Sequence, residues 1–198
     1  VFCCFNNSYK ITPAEFNIWM RLLGKVDKSV LWLLSSNQWA EKNLKEAASI
    51  RGISSDRIVF AQSLPHADHL ARLKLADLFL DTFNYNAGAT ATDALWSGLP
   101  LITKMGQGYT ARMAGSILSS VGLSELVVTT EVQYEELALR LATTPGKLVQ
   151  IRKKLAANRL TTPLFDTALS TRHLENGYSQ AYELYFEGKS PDHVYVPA

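Results

Sequence analysis

Short, nearly unbroken apolar blocks alternate with longer stretches in which apolar positions recur every three or four residues. The blocks "VFCCF" (1–5), "SVLWLL" (29–34), "RIVFAQ" (57–62), "DLFLDT" (77–82), "PLITK" (100–104) and "ELVVT" (125–129) predict strands. The stretches 12–26, 40–52, 66–76, 92–98 and 109–122 predict the intervening helices. The first carries Thr12 as a cap, Pro13 at the first helical position and Glu15 three residues past the cap. The second ends at Gly52, a C-cap. After 129 the strand pattern stops. Helical spacing continues over 131–143, 145–160 and about 168–187, and the tail "GKSPDHVYVPA" is irregular.

Strands that are apolar throughout, without alternation, imply a parallel sheet covered on both faces. Right-handed crossovers make this a Rossmann-like, doubly wound α/β domain. No internal repeat or low-complexity linker divides the chain, so residues 1–198 are read as one lobe. The helices from about 145 onward pack either on that lobe or on a partner lobe upstream.

Composition changes this picture little. With 47% hydrophobic and 19% charged residues, the chain is an ordinary globular one. A net charge of +2 argues against nucleic acid, and "RKK" at 152–154 reads as a solvated helix face. Cys3 and Cys4 are adjacent in a strand and point to opposite faces, which excludes a mutual disulfide and suggests a cytoplasmic protein. No apolar stretch reaches membrane-spanning length, and "VFCCF" is too short to be a signal peptide. The chain opens without methionine straight into a strand, which suggests a piece of a longer protein.

In an open parallel sheet, ligands bind beyond the carboxyl ends of the strands. Four loops lie there: "NNSYK", "SSNQW", "SLPHADH" and "FNYNAGATATD". If the strand order reverses between the first and fourth strands, the first and fourth loops flank the crevice. The fourth leads into a helix starting near Thr90, whose free N–H groups and positive dipole end suit an anion. Gly88 and Ala89 would let a ligand approach the backbone. Thr90 and Asp93, three apart, equally fit a cap on a tight turn. Lys10, beyond the first strand, could neutralise a diphosphate, and Asn6 and Asn7 could donate to it or simply make the turn. His66 and His69 lack a third ligand at metal-binding spacing, and suit a base or ribose better. No GxSxG, Walker or GxGxxG pattern is present.

"VFCCFNNSYKI", "SVLWLL", "LADLFLDT", "DALWSGLPLIT", "TTPLFDT" and "SPDHV" together resemble the C-terminal catalytic lobe of the O-linked N-acetylglucosamine transferases, the family 41 glycosyltransferases. The resemblance implies one half of a GT-B fold, with an acceptor-binding lobe and tetratricopeptide repeats upstream. It implies inverting transfer of N-acetylglucosamine from a UDP-sugar donor to Ser or Thr of a protein acceptor, with no metal or other cofactor. By the same resemblance Lys10 stabilises the leaving diphosphate, and Asn7 stands where glutamine is common. The backbone of Leu64 reads the uracil edge, His69 stacks near the base with Arg72 supporting it, and His66 faces the ribose. Thr90 binds pyrophosphate and Asp93 serves the ribose region. Where many members read His-Thr-Thr, this chain reads Gly88-Ala89-Thr90, so backbone N–H groups carry more of the diphosphate. UDP-glucose, GDP-fucose, or a degenerate lobe serving only as an interaction module are the alternatives.

Overall fold

The computed structural model describes residues 1–196. Six parallel strands form one sheet: β1 (Phe2–Cys4), β2 (Leu31–Leu34), β3 (Ile58–Ala61), β4 (Leu78–Leu80), β5 (Leu101–Lys104) and β6 (Val127–Val128), in the order β3-β2-β1-β4-β5-β6. This is the doubly wound Rossmann order, with the reversal between β1 and β4. Phe2 sits opposite Leu31 on one side and Leu78 on the other. All residues of β1 and β4 are buried, which is why these strands are apolar on both faces. Cys3 and Cys4 are buried free thiols, and burial pushes both up from the ordinary thiol range.

The helices are α1 (Pro13–Lys25), α2 (Gln38–Ile50), α3 (His66–Leu73), α4 (Ala89–Trp96), α5 (Met113–Ser120), α6 (Glu131–Thr143), α7 (Pro145–Asn158) and α8 (Thr167–Phe186). The Thr12 amide donates to Glu15 Oε1 at 2.6 Å, and the Thr12 hydroxyl bonds the other carboxylate oxygen. This closes the box at the start of α1 and fixes the end of the loop that carries Lys10. Gly52 and Gly98, with φ of +76° and +81°, end α2 and α4 in the left-handed conformation that glycine alone adopts freely. Beyond Gly98 the Leu99 amide bonds back to Ala94 O at 2.9 Å, and the chain turns directly into β5.

Several boundaries differ from the sequence pattern, three of them for a clear local reason. Helix α5 begins only at Met113, because Gly106 and Ala111 pair across a loop in which the Arg112 amide bonds Tyr109 O. Helix α3 stops at Leu73, where tighter bonds from the Lys74 and Leu75 amides bring the chain into β4. Strand β6 shrinks to two residues because Ser124–Leu126 form a 3₁₀ turn.

Helices α6 and α7 pack on the lobe itself. Helix α6 lies against α1 and the sheet, and its buried Tyr134 donates to the Asp81 carbonyl at 3.0 Å while its ring meets Phe83 edge-on at 5.0 Å. Helix α7 lies on α6. No residue of α8 is buried. Among the described residues no helix is long and apolar enough to cross a membrane.

Candidate nucleotide-sugar site

Crossovers from β1 and β4 leave in opposite directions, so the loops after these two strands face one another across a crevice at the carboxyl edge of the sheet. The floor is polar and, apart from the Oδ1 of buried Asn86, which has no partner among the described residues, bonded. Asp81, at the end of β4, is wholly buried. Its Oδ1 accepts from the Thr82 amide at 2.8 Å, the Ala87 amide at 2.7 Å and Asn6 Nδ2 at 3.1 Å, and its Oδ2 accepts from the Thr103 hydroxyl at 2.7 Å. Burial nevertheless raises its pKa from the usual carboxylate range to about 6, against the pull of those four donors. Asn6 is buried beside it and also bonds Thr82 Oγ1 at 2.8 Å and the Thr90 hydroxyl at 2.7 Å.

Lys10 reaches across from the first loop. Its ammonium donates to the carbonyl of Asn86 at 3.2 Å and sits 3.7 Å over the Tyr85 ring. Partial burial lowers its pKa, and the buried charge of Asp81 works the other way. Two residues after Asn86 the chain enters α4, with Gly88 as the cap position. The Ala91 and Thr92 amides close onto Gly88 O. The amides of Gly88, Ala89 and Thr90 meet no acceptor among the described residues. Lys10 and the open N-terminus of α4 thus lie on facing loops, as the sequence pattern implies.

The capping alternative for Thr90 and Asp93 does not form. Thr90 lies inside α4 and turns its hydroxyl to Asn6, while Asp93 Oδ1 pairs with His66 Nε2 at 3.1 Å, tying α4 to α3. His69 packs edge-on against Phe5, with ring centroids 5.4 Å apart, and Arg72 lies 5.0 Å over the same ring. Arg72 Nε donates to His69 Nδ1 at 3.0 Å. Nδ1 is therefore the acceptor nitrogen, and the proton of the neutral ring sits on Nε2. Burial first, then the Arg72 charge, lowers the His69 pKa and favours that neutral form. Phe5 immediately precedes Asn6, so this cluster and the Lys10 cluster share the end of β1. Two candidates stand apart: Asn7 is exposed with no side-chain partner among the described residues, and Leu64 is exposed on the loop before α3. Among the described residues, no three His, Cys, Asp or Glu side chains converge as a metal site.

The sequence pattern missed Asp81 and Tyr85. The available signal was a carboxylate closing a strand that is otherwise wholly apolar.

Residues 1–174 match the model of Glycosyl transferase family 41. The chain belongs to glycosyltransferase family 41. Its relatives in the family include the Arabidopsis thaliana protein SEC, named a probable UDP-N-acetylglucosamine–peptide N-acetylglucosaminyltransferase, which is 38% identical over 99% of this chain and 20% of its own length. The Caenorhabditis elegans UDP-N-acetylglucosamine–peptide N-acetylglucosaminyltransferase is 35% identical over 98% of the chain and 17% of its own length. A lysine-to-methionine mutant of Thermobaculum terrenum O-GlcNAc transferase superposes with a TM-score of 0.85 at 30% identity, over 90% of this chain and 35% of that one. The chain therefore spans about one fifth of the curated relatives it matches, and forms the Rossmann-like half of a GT-B fold. Within the family 41 frame the glycine at 88 has a local reason: a Cβ there would lie 2.6 Å from Met113 Sδ, so any larger residue requires Met113 to turn away.

Proposed function

We propose that this lobe binds the nucleotide-sugar donor of an inverting transferase that moves N-acetylglucosamine from UDP-N-acetylglucosamine to Ser or Thr of a protein. The observation that carries the reading is Lys10 facing the three open amides of α4 across the switch-point crevice. Sugar transfer loads negative charge onto the departing diphosphate. An ammonium and a helix N-terminus, fixed in advance, stabilise that charge where it develops. On the other side of Phe5, His69 offers a flat ring with a defined Nε2–H, and the Leu64 backbone a polar edge, as suits a uracil. The His66–Asp93 pair, which ties α3 to α4, is assigned to the ribose. The names of the Arabidopsis and Caenorhabditis relatives both specify UDP-N-acetylglucosamine as donor.

Calorimetry on the full-length protein tests this. Heat is expected with UDP and not with GDP; heat with GDP alone moves the donor to a guanine sugar, and no heat with either removes the donor reading.

The proposal includes an upstream lobe that covers α8. Leu174, Tyr178 and Tyr182 recur at helical spacing along it and stand more than half exposed, at 57%, 64% and 65%. Tyr178→Asp in the full-length protein is then expected to lower the unfolding midpoint by a few degrees, since it places a charge in an apolar seam. An unchanged midpoint would leave α8 in solvent.

A further inference from the structure

Thr90 stands at the entrance of α4, where a hydroxyl can either donate to a bound anion or be used inside the protein. Its Oγ1 lies 2.7 Å from Asn6 Oδ1. The direction of this bond is set by the other end of the Asn6 amide. Asn6 Nδ2 lies 3.1 Å from Asp81 Oδ1 and 2.8 Å from Thr82 Oγ1. The Thr82 hydroxyl already donates to Tyr85 O at 2.6 Å, so toward Asn6 it can only accept. Both amide protons of Asn6 are therefore committed, and its oxygen is the atom turned to Thr90. A threonine hydroxyl has one proton, and that of Thr90 goes to Asn6. A phosphate oxygen is an acceptor, so this hydroxyl has no proton left to offer it.

The geometry points to Asn6 as a positioning residue that draws the Thr90 hydroxyl inward, so that a diphosphate is gripped by the α4 backbone amides and Lys10 rather than by the Thr90 side chain. This rests on the donor-lobe reading above. Asn6 is 2% exposed, so it acts through other groups and not on the ligand. It is also, with Lys10, a side chain that joins the two halves of the crevice. It sits at the end of β1, in the loop that carries Lys10, and bonds both the end of β4 and the first turn of α4. Slack at Asn6 changes the spacing between the ammonium and the amides, and catalysis by fixed charges is sensitive to displacements of an ångström.

Two experiments on the full-length protein decide this. The first is a double-mutant cycle with Thr90→Val, Asn6→Ala and both together, read by UDP calorimetry and kcat, with the unfolding midpoint measured in parallel. Thr90→Val is expected to weaken UDP binding roughly fivefold, as for one lost hydrogen bond, and Asn6→Ala, which also removes the bonds to Asp81 and Thr82, by at least as much, both with a lowered kcat. The double variant is expected to be no weaker than the poorer single, because both remove the same link. Losses that multiply, or that follow the unfolding midpoint with no change in kcat, would overturn the role. The second is a structure with UDP bound, which needs no variant and stands even if Asn6→Ala does not fold. It is expected to keep Thr90 Oγ1 on Asn6, with the phosphate oxygens on the amides of residues 88–90. A Thr90 hydroxyl turned onto a phosphate oxygen would overturn the proposal while leaving the donor reading intact. A wild-type protein that binds no UDP would overturn both.

Discussion

Lys10→Ala in the full-length protein is expected to lower kcat by about 10²–10³-fold, the loss typical of removing one preorganised group that stabilises developing charge. The effect on UDP affinity should be smaller, about tenfold. The reason is the difference between ground and transition state. A bound UDP-sugar already carries its diphosphate charge in contact with the α4 amides, whereas breaking the glycosidic bond adds a further charge to the leaving oxygen. Only interactions that strengthen at that moment raise the rate. Lys10 is built for this: its ammonium is held by the Asn86 carbonyl at 3.2 Å and by the Tyr85 ring at 3.7 Å, so little reorganisation is needed as the charge develops. Steady-state kinetics beside UDP calorimetry separate the two quantities. An unchanged kcat would take Lys10 out of the mechanism.

The facing of Lys10 and the α4 amides was legible in the sequence only on the condition that the strand order reverses between the first and fourth strands, and the order β3-β2-β1-β4-β5-β6 meets that condition. The first and fourth strands are the central pair, and their loops bound the crevice. The box of Thr12, Pro13 and Glu15 and the turn at Gly52 were legible for a different reason: each is decided by residues within one helical turn. Asp81 was not. In sequence it resembles any carboxylate at a strand end. Only the pairing of β4 with β5, which brings Thr103 to it, and the return of the loop, which brings Ala87, make it a buried hub. The link from Asn6 to Thr90 spans strands that are neighbours in space but remote in the chain, and no local pattern encodes it. Asp93 shows the opposite failure. Its spacing from Thr90 fits a cap, but the partner that wins, His66, comes from α3.

Asp81 separates the stability of the lobe from its chemistry. Asp81→Ala is expected to destabilise it by roughly 3–5 kcal/mol, since the Thr82 and Ala87 amides, Asn6 and Thr103 all lose an acceptor in a site closed to water. Asp81→Asn tests the charge alone. Its oxygen can face the three N–H donors and its amino group can donate to the Thr103 hydroxyl, so the network survives. The folded carboxyl holds its proton up to about pH 6, against an unfolded value of 3.8. A group raised in this way stabilises the fold fully below pH 3.8 and loses that contribution as the pH rises through about 6. Chemical denaturation of the two proteins across this range is expected to show the wild type losing about 2 kcal/mol relative to Asp81→Asn between pH 4 and pH 7. A flat or opposite difference would mean that the four donors outweigh burial. At pH 7 the variant should then fold at least as well as the wild type yet turn over more slowly, because the Lys10 ammonium loses a buried counter-charge that favours it.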